Sequence, residues 1–134
     1  MTIGVIDTLT DQQVRELVGL LGTTDWAADR DREGVVAMLD GSDVVVGLED
    51  DDRLVAFARA LTDGEYRAFV YDVVVAEPRR GEGLGRRVVE ELLAHPDLDV
   101  EAVDLYCQPE LVEFYEQWGF SEDVGSLRLL RRSG

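Results

Sequence analysis

The chain has no lysine, a single cysteine, a single histidine and no apolar run near the ~20 residues that a membrane-spanning helix needs. Each shortage removes a class of function. A Walker A loop places a lysine after its last glycine, so that phosphate-binding design is excluded. One cysteine, Cys107, forbids an internal disulfide and fits a reducing compartment. The lone histidine, His95, precedes Pro96 at the end of a helical pattern, where its ring can meet the last carbonyls, and no histidine neighbours Cys107. No metal site is expected. Arginine is the only strong base, and Lys+Arg total 13 against 29 Asp+Glu, a net charge of −16. Nucleic acid, whose phosphates demand a basic surface, is therefore not the expected partner. The N-terminus lacks a basic stretch followed by an apolar one, so neither a membrane anchor nor a signal peptide is indicated, and a cytoplasmic protein is expected.

What the chain does have is enough apolar material for one core. At 134 residues and 46% hydrophobic, residues 1–134 read as a single compact domain. Strand and helix patterns alternate along it. Residues 2–7 suggest a first strand, and Thr10 opens a helix with Gln13 as its capping-box partner and Val14, Leu17, Val18 and Leu21 on the inner face. After an irregular stretch, residues 22–28, a second helix is expected over 29–39. Antiparallel strands over 44–48 and 54–61 follow, joined by the acidic run Glu49-Asp50-Asp51-Asp52, which reads as a solvated hairpin tip. A strand over 69–75 leads through a glycine and arginine loop into a helix with Leu84, Val88, Val89, Leu92 and Leu93 on one face. A strand over 103–107, a helix begun by Pro109 and ended by Gly119, and a last strand over 124–131 complete the order.

The loop is the most informative stretch. Four arginines, Arg79, Arg80, Arg86 and Arg87, crowd around Gly81, Gly83 and Gly85 directly after an apolar strand and before a helix. Glycines let backbone N–H groups approach an anion closely, a helix N-terminus adds about half a positive charge, and guanidinium groups supply paired donors. In a chain so acidic, an anionic ligand requires such local positive charge. A dinucleotide fingerprint, G-x-G-x-x-G, fits poorly, because counting from Gly81 the third glycine arrives one residue early, at Gly85. The spacing R-x-x-G-x-G, from Arg80 through Gly85, resembles the acyl-CoA-binding loop of the GNAT superfamily of N-acetyltransferases. A second segment, Phe114-Tyr115-Glu116-Gln117-Trp118-Gly119-Phe120, looks like the F-Y-x-x-x-G-F ending of that family's last helix and next strand. The resemblance is strongest over residues 69–121.

The resemblance implies an α/β (α+β) fold with a central mixed, mostly antiparallel sheet and helices on both faces. It also implies acetyl transfer from acetyl-CoA to a primary amine by direct attack. Arg80, the amides of Gly81, Gly83, Leu84 and Gly85, and Arg86 would hold the pyrophosphate, while Arg79 and Arg87 would be solvated or reach the 3′-phosphate. The backbone of Val73, Val74 and Val75 would hold the pantetheine arm and polarise the thioester carbonyl, and Gln108 would hydrogen-bond the same arm. Tyr115 would protonate the departing thiolate; its plainer reading is a core aromatic at helical spacing with Leu111, Phe114 and Trp118. Asp72 interrupts an apolar strand, and is either the general base or an ion-pair partner of Arg59 or Arg67. Cys107 reads as a small buried hydrophobe.

A non-catalytic acyl-CoA-binding or protein-interaction module with the same fold is the competing reading. Substrate contacts are expected from residues 22–31 and from the 62–67 turn with Asp63 and Glu65, whose carboxylates would either pair a cationic amine or face water. The acceptor, a small molecule or a peptide amine, stays open, as does a homodimer. The acidic surface with arginine as sole strong base looks like that of proteins from organisms that accumulate salt internally; steering of cationic amines is the alternative.

Overall fold

A computed structural model describes residues 2–134. Five strands form one sheet in the order β1-β2-β3-β4-β5: β1 (Ile3–Ile6), β2 (Val44–Asp50), β3 (Arg53–Thr62), β4 (Arg67–Val75) and β5 (Ala102–Leu105). Neighbours pair antiparallel from β1 to β4, and β5 lies parallel to β4. A parallel pair requires a crossover, which α3 (Leu84–Leu93) supplies. The mixed, mostly antiparallel sheet expected from the sequence is the sheet found. No helix among the described residues is long and apolar enough to cross a membrane.

Helix α1 (Asp11–Leu21) begins as its sequence predicts. The Thr10 hydroxyl accepts from the Gln13 N–H at 3.1 Å, and the Gln13 side chain accepts from the Thr10 N–H at 3.0 Å. The Gln13 amide nitrogen also donates to Glu49 and to the Asp52 carbonyl, so the cap ties the helix to the β2–β3 hairpin. Helix α2 (Arg32–Gly41) starts later than expected, because Asp31 takes the N-cap position and accepts from the Gly34 N–H at 2.8 Å. The hairpin turn is shorter than the acidic run suggested. Asp50 pairs with Arg53, leaving Asp51 and Asp52 alone at the tip, at φ of 51° and 64°, as a two-residue type I′ turn requires. Glu49 and Asp50 are strand residues engaged by Gln13 and Arg79 rather than solvated tip.

The core divides by sheet face. On one face, Val88, Val89 and Leu92 of α3 pack against Ala56, Ala58 and Ala60 of β3, whose small side chains let the helix sit close. On the other, Leu17 and Leu21 of α1 and Val35 of α2 cover Phe57 and Val74. Beyond β5, a 3-10 turn (Pro109–Leu111) leads into α4 (Val112–Glu116), which is followed by Gly119 at φ 88°. The strand expected over 124–131 does not form; residues 121–134 lie outside any helix or strand, with Leu127 69% and Leu130 89% exposed. Two features account for it. Gly125, at φ 69°, turns the chain at the second position of the segment, and the alternation from Leu127 to Leu129 breaks at Leu130. His95 also differs from expectation: its Nδ1 accepts from the Asp97 N–H at 3.1 Å, capping the next turn instead of meeting helix carbonyls.

Candidate active site

One extra residue in β4 organises the site. Tyr71 pairs with Arg59 and Val74 with Phe57, so Asp72 and Val73 on β4 stand opposite Ala58 alone, and Asp72 takes φ 58°. This is a β-bulge, and it exchanges the faces of the strand. Ala68 and Val70 pack toward α3, whereas Val74 packs toward α1 and α2. On its other edge, β4 pairs with β5 only from Arg67 opposite Ala102 to Val70 opposite Leu105. Residues 71–75 therefore keep β3 and lose β5. The two strands part there, around a cavity of about 500 Å³ lined by residues 70–73 and 105–108 with Trp26, Arg30, Leu111, Tyr115 and Arg131.

Asp72 points into protein, not solvent. Its Oδ2 accepts from Arg59 Nε and from Arg30 Nη1, both at 2.7 Å, with the carboxylate side chain only 3% exposed. Burial pushes its pKa upward, but the hydrogen bonds from Arg30 and Arg59 and their charges outweigh it and hold the group below the ordinary carboxylate value. Of the two partners considered from sequence, Arg59 is engaged, while Arg67 pairs with Asp104 at 3.7 Å. The bulge places the carboxylate beside the cavity, and the two guanidinium groups occupy it.

Tyr115 comes from α4. Its ring is buried among Phe114, Trp118 and Phe120, with centroid separations of 5.0, 6.2 and 6.0 Å, and it lines the cavity. Burial, reinforced by nearby Cys107, pushes its pKa up to about 12, so the phenol keeps its proton at neutral pH. Burial likewise raises the Cys107 thiol, with Glu122 and Glu110 adding to it, so Cys107 stays a thiol. Gln108 is exposed at the cavity rim; its side chain makes no capping bond.

At the end of β4 the chain passes through a 3-10 turn (Glu77–Arg79) to Gly83, the N-cap of α3. Gly81 and Gly83 stand at φ of 83° and 81°, and a Cβ on either would meet nothing within 4 Å. Gly83 offers no capping side chain, so the first N–H groups of α3 have no partner from the helix or its cap. That is the geometry an anion needs. Gly85 differs: a Cβ there would lie 3.6 Å from Val75 and 3.8 Å from Phe114, where helix, strand and α4 meet. Leu84 and Val74 bury their side chains and Val73 and Val75 are half-buried, so these residues have mainly backbone to offer.

The arginine cluster resolves into different roles. Arg79 binds Asp50 at 2.9 Å and Glu82 at 3.0 Å, and so braces the loop against β2. Arg86 pairs with Glu90 at 2.8 Å along the helix, and Arg87 donates to the Ile3 carbonyl at 3.2 Å. Arg80 is exposed, donates to the Val75 carbonyl at 3.3 Å and has no carboxylate partner among the described residues. Of the two expected substrate segments, residues 22–31 contribute Trp26 and Arg30 to the cavity, whereas the 62–67 turn contributes nothing. Asp63 instead accepts from the N–H groups of Glu65, Tyr66 and Arg67, which hold its pKa down. Arg30, Tyr71, Tyr106 and Arg131 were not singled out from sequence. Arg30 lies 42 positions from Asp72, and no spacing rule connects them.

The chain is similar to known proteins in sequence and in fold. The sequence profile described as "Acetyltransferase (GNAT) family" matches residues 8–120. Serotonin N-acetyltransferase 2, chloroplastic, of Oryza sativa subsp. japonica is 46% identical over 92 residues, covering 63% of this chain and 45% of that protein. GCN5-related N-acetyltransferase 1, chloroplastic, of Arabidopsis thaliana is 35% identical over 104 residues, covering 74% and 52%. The chain thus spans about half the length of these two relatives. Among solved structures, a Xanthomonas campestris pv. campestris protein described as belonging to the GNAT family superposes with a TM-score of 0.88 at 28% identity, covering 100% of this chain and 94% of that one. Glucosamine-6-phosphate N-acetyltransferase of Arabidopsis thaliana shares the fold at a TM-score of 0.76 and 22% identity, covering 98% and 99%. With a profile match over most of its length, the chain belongs to the acetyltransferase (GNAT) family.

Proposed function

We propose that this chain is an N-acetyltransferase that moves the acetyl group of acetyl-CoA onto a primary amine by direct attack. One observation carries the reading: the edge of β4 that β5 leaves unpaired, residues 71–75, runs from the anion-ready loop to the cavity holding Tyr115. The pyrophosphate sits against the N–H groups of Gly81, Gly83, Leu84 and Gly85 with Arg80 beside it, and Arg86 adds charge from the helix. The pantetheine arm lies along Val73, Val74 and Val75, with Gln108 across the seam. A backbone N–H there polarises the thioester carbonyl, a contribution of about 3 kcal/mol in comparable sites. Tyr115 donates its phenolic proton toward the departing sulfur, which is worth about ten to a thousandfold.

Asp72 serves this reaction as a positioning residue. A carboxylate held by two guanidinium groups and depressed in pKa is a weak base at neutral pH, so the amine proton leaves through cavity water. Residues 1–134 act as one domain, and the single cysteine fits a cytoplasmic location. The rice relative's name specifies serotonin, which places aromatic amines on the first panel of acceptors. The test is thiol release from acetyl-CoA across that panel, with Tyr115→Phe as control. Amine-dependent release at least tenfold above the variant supports the reading. A protein that binds acetyl-CoA yet releases no CoA with any amine is a binding module instead.

A further inference from the structure

The charge lining the cavity is opposite to that of the molecule. The chain carries −16, yet among the described residues Asp72 is the only carboxylate in the cavity wall, and two arginines already share it. Arg59 is enclosed: 13% exposed, it holds Asp72 through Nε, reaches Ser42 Oγ at 3.5 Å and lies 4.8 Å over the Tyr71 ring. Arg30 is the outer partner, 34% exposed, with Nη1 on Asp72 and against Met38 Sδ at 3.3 Å, and it lines the cavity. Two positive charges on one negative leave a surplus cation on the cavity wall. Arg131 lines the same cavity and stands 5.2 Å over the Tyr106 ring, with no carboxylate partner among the described residues. Trp26, 54% exposed, and Tyr106, 46% exposed, add flat apolar surface to the lining.

Such a wall repels an acceptor whose only charge is its ammonium. It suits an amine that also carries an acid, since guanidinium groups match carboxylate geometry in pairs. Nearby cations also disfavour an ammonium, so the wall shifts the bound acceptor toward the neutral amine that attacks. We propose that the acceptor is a primary amine bearing a carboxylate and a flat apolar or aromatic side group, with Arg30 and Arg131 holding the carboxylate and Trp26 and Tyr106 the ring. This rests on the acetyl-transfer reading above and names its substrate class.

Matched acceptors test it: phenylalanine against phenethylamine and tryptophan against tryptamine, by kcat/KM for CoA release. The carboxylate-bearing member of each pair is expected to be at least tenfold better, and the ratio to fall below threefold in Arg30→Gln with acetyl-CoA affinity kept. Arg131→Gln, at an exposed position, is expected to cut the ratio as well, and it serves if Arg30→Gln fails to fold. Equal or better turnover of the decarboxylated amines by the unaltered protein overturns the substrate class and leaves acetyl transfer standing. Absence of release with all four, in a protein that releases CoA with another amine of the panel, overturns the substrate class alone; absence with every amine, in a protein that binds acetyl-CoA, overturns both.

Discussion

The two ends of the β4 seam handle charge in opposite ways. At the loop, glycines stand at positive φ with open space around a would-be Cβ, the helix start has no side-chain cap, and Arg80 holds only a backbone carbonyl. At the bulge, charge is already matched inside the protein: Asp72 binds Arg30 and Arg59 at 2.7 Å each. The loop thus leaves donors that no carboxylate among the described residues takes up, as the proposed pyrophosphate site requires, and the bulge fixes the shape and potential of a wall. Altering the loop should change binding and spare the fold. Altering the bulge should do the reverse first.

The largest expected effect is on the bulge side. Asp72→Ala strands two guanidinium groups beside each other, and removing one partner of such a buried set costs about 3 kcal/mol. A clear drop in the urea midpoint checks it; an unchanged midpoint would mean that the network is not structural. On the loop side, Gly83→Ala forces a side chain to φ 81°, a strain of roughly 1–2 kcal/mol, and aims a methyl group at the open space before α3. Acetyl-CoA affinity should fall tenfold or more by calorimetry while the circular dichroism spectrum stays native.

Between these regions, Tyr115→Phe should lower kcat tenfold or more with acetyl-CoA affinity retained, measured by thiol release. A smaller effect separates neighbouring arginines. Arg80→Gln should weaken acetyl-CoA binding severalfold, whereas Arg79→Gln, which loses Asp50 and Glu82, should lower the urea midpoint slightly. Acid sharpens the comparison last. The folded pKa of Asp72 lies below its ordinary value of 3.8, so its stabilising share is complete above that value and disappears as pH falls through the folded pKa. The stability difference between the unaltered protein and Asp72→Asn should therefore be constant near neutrality and shrink below about pH 4.

The same contrast explains what could be read before the structure. The loop is contiguous: strand, turn, glycines and helix follow one another, and local rules for φ and for helix ends apply directly. The Thr10 cap and the face of α3 were legible for the same reason. The cavity wall draws on Trp26, Arg30, Asp72, Tyr106 and Arg131, brought together only by the sheet and its bulge. Asp72 stood out as a carboxylate in an apolar strand, but its partner 42 positions away did not. Nor does alternation suffice to make a strand, as residues 124–131 demonstrate. The acidic hairpin tip likewise shrank to Asp51 and Asp52 once strand pairing claimed Glu49 and Asp50.

Everything proposed for this chain passes through the loop, so titration of the folded protein with acetyl-CoA by calorimetry, at moderate and at molar KCl, is the most direct test. The two salts separate an acidic protein that needs salt to fold from one whose loop binds nothing. Micromolar binding in either salt, weakened at least tenfold by Gly83→Ala, is the predicted result. A natively folded protein that shows no acetyl-CoA binding in either salt would contradict the account and leave the chain with the family's fold alone.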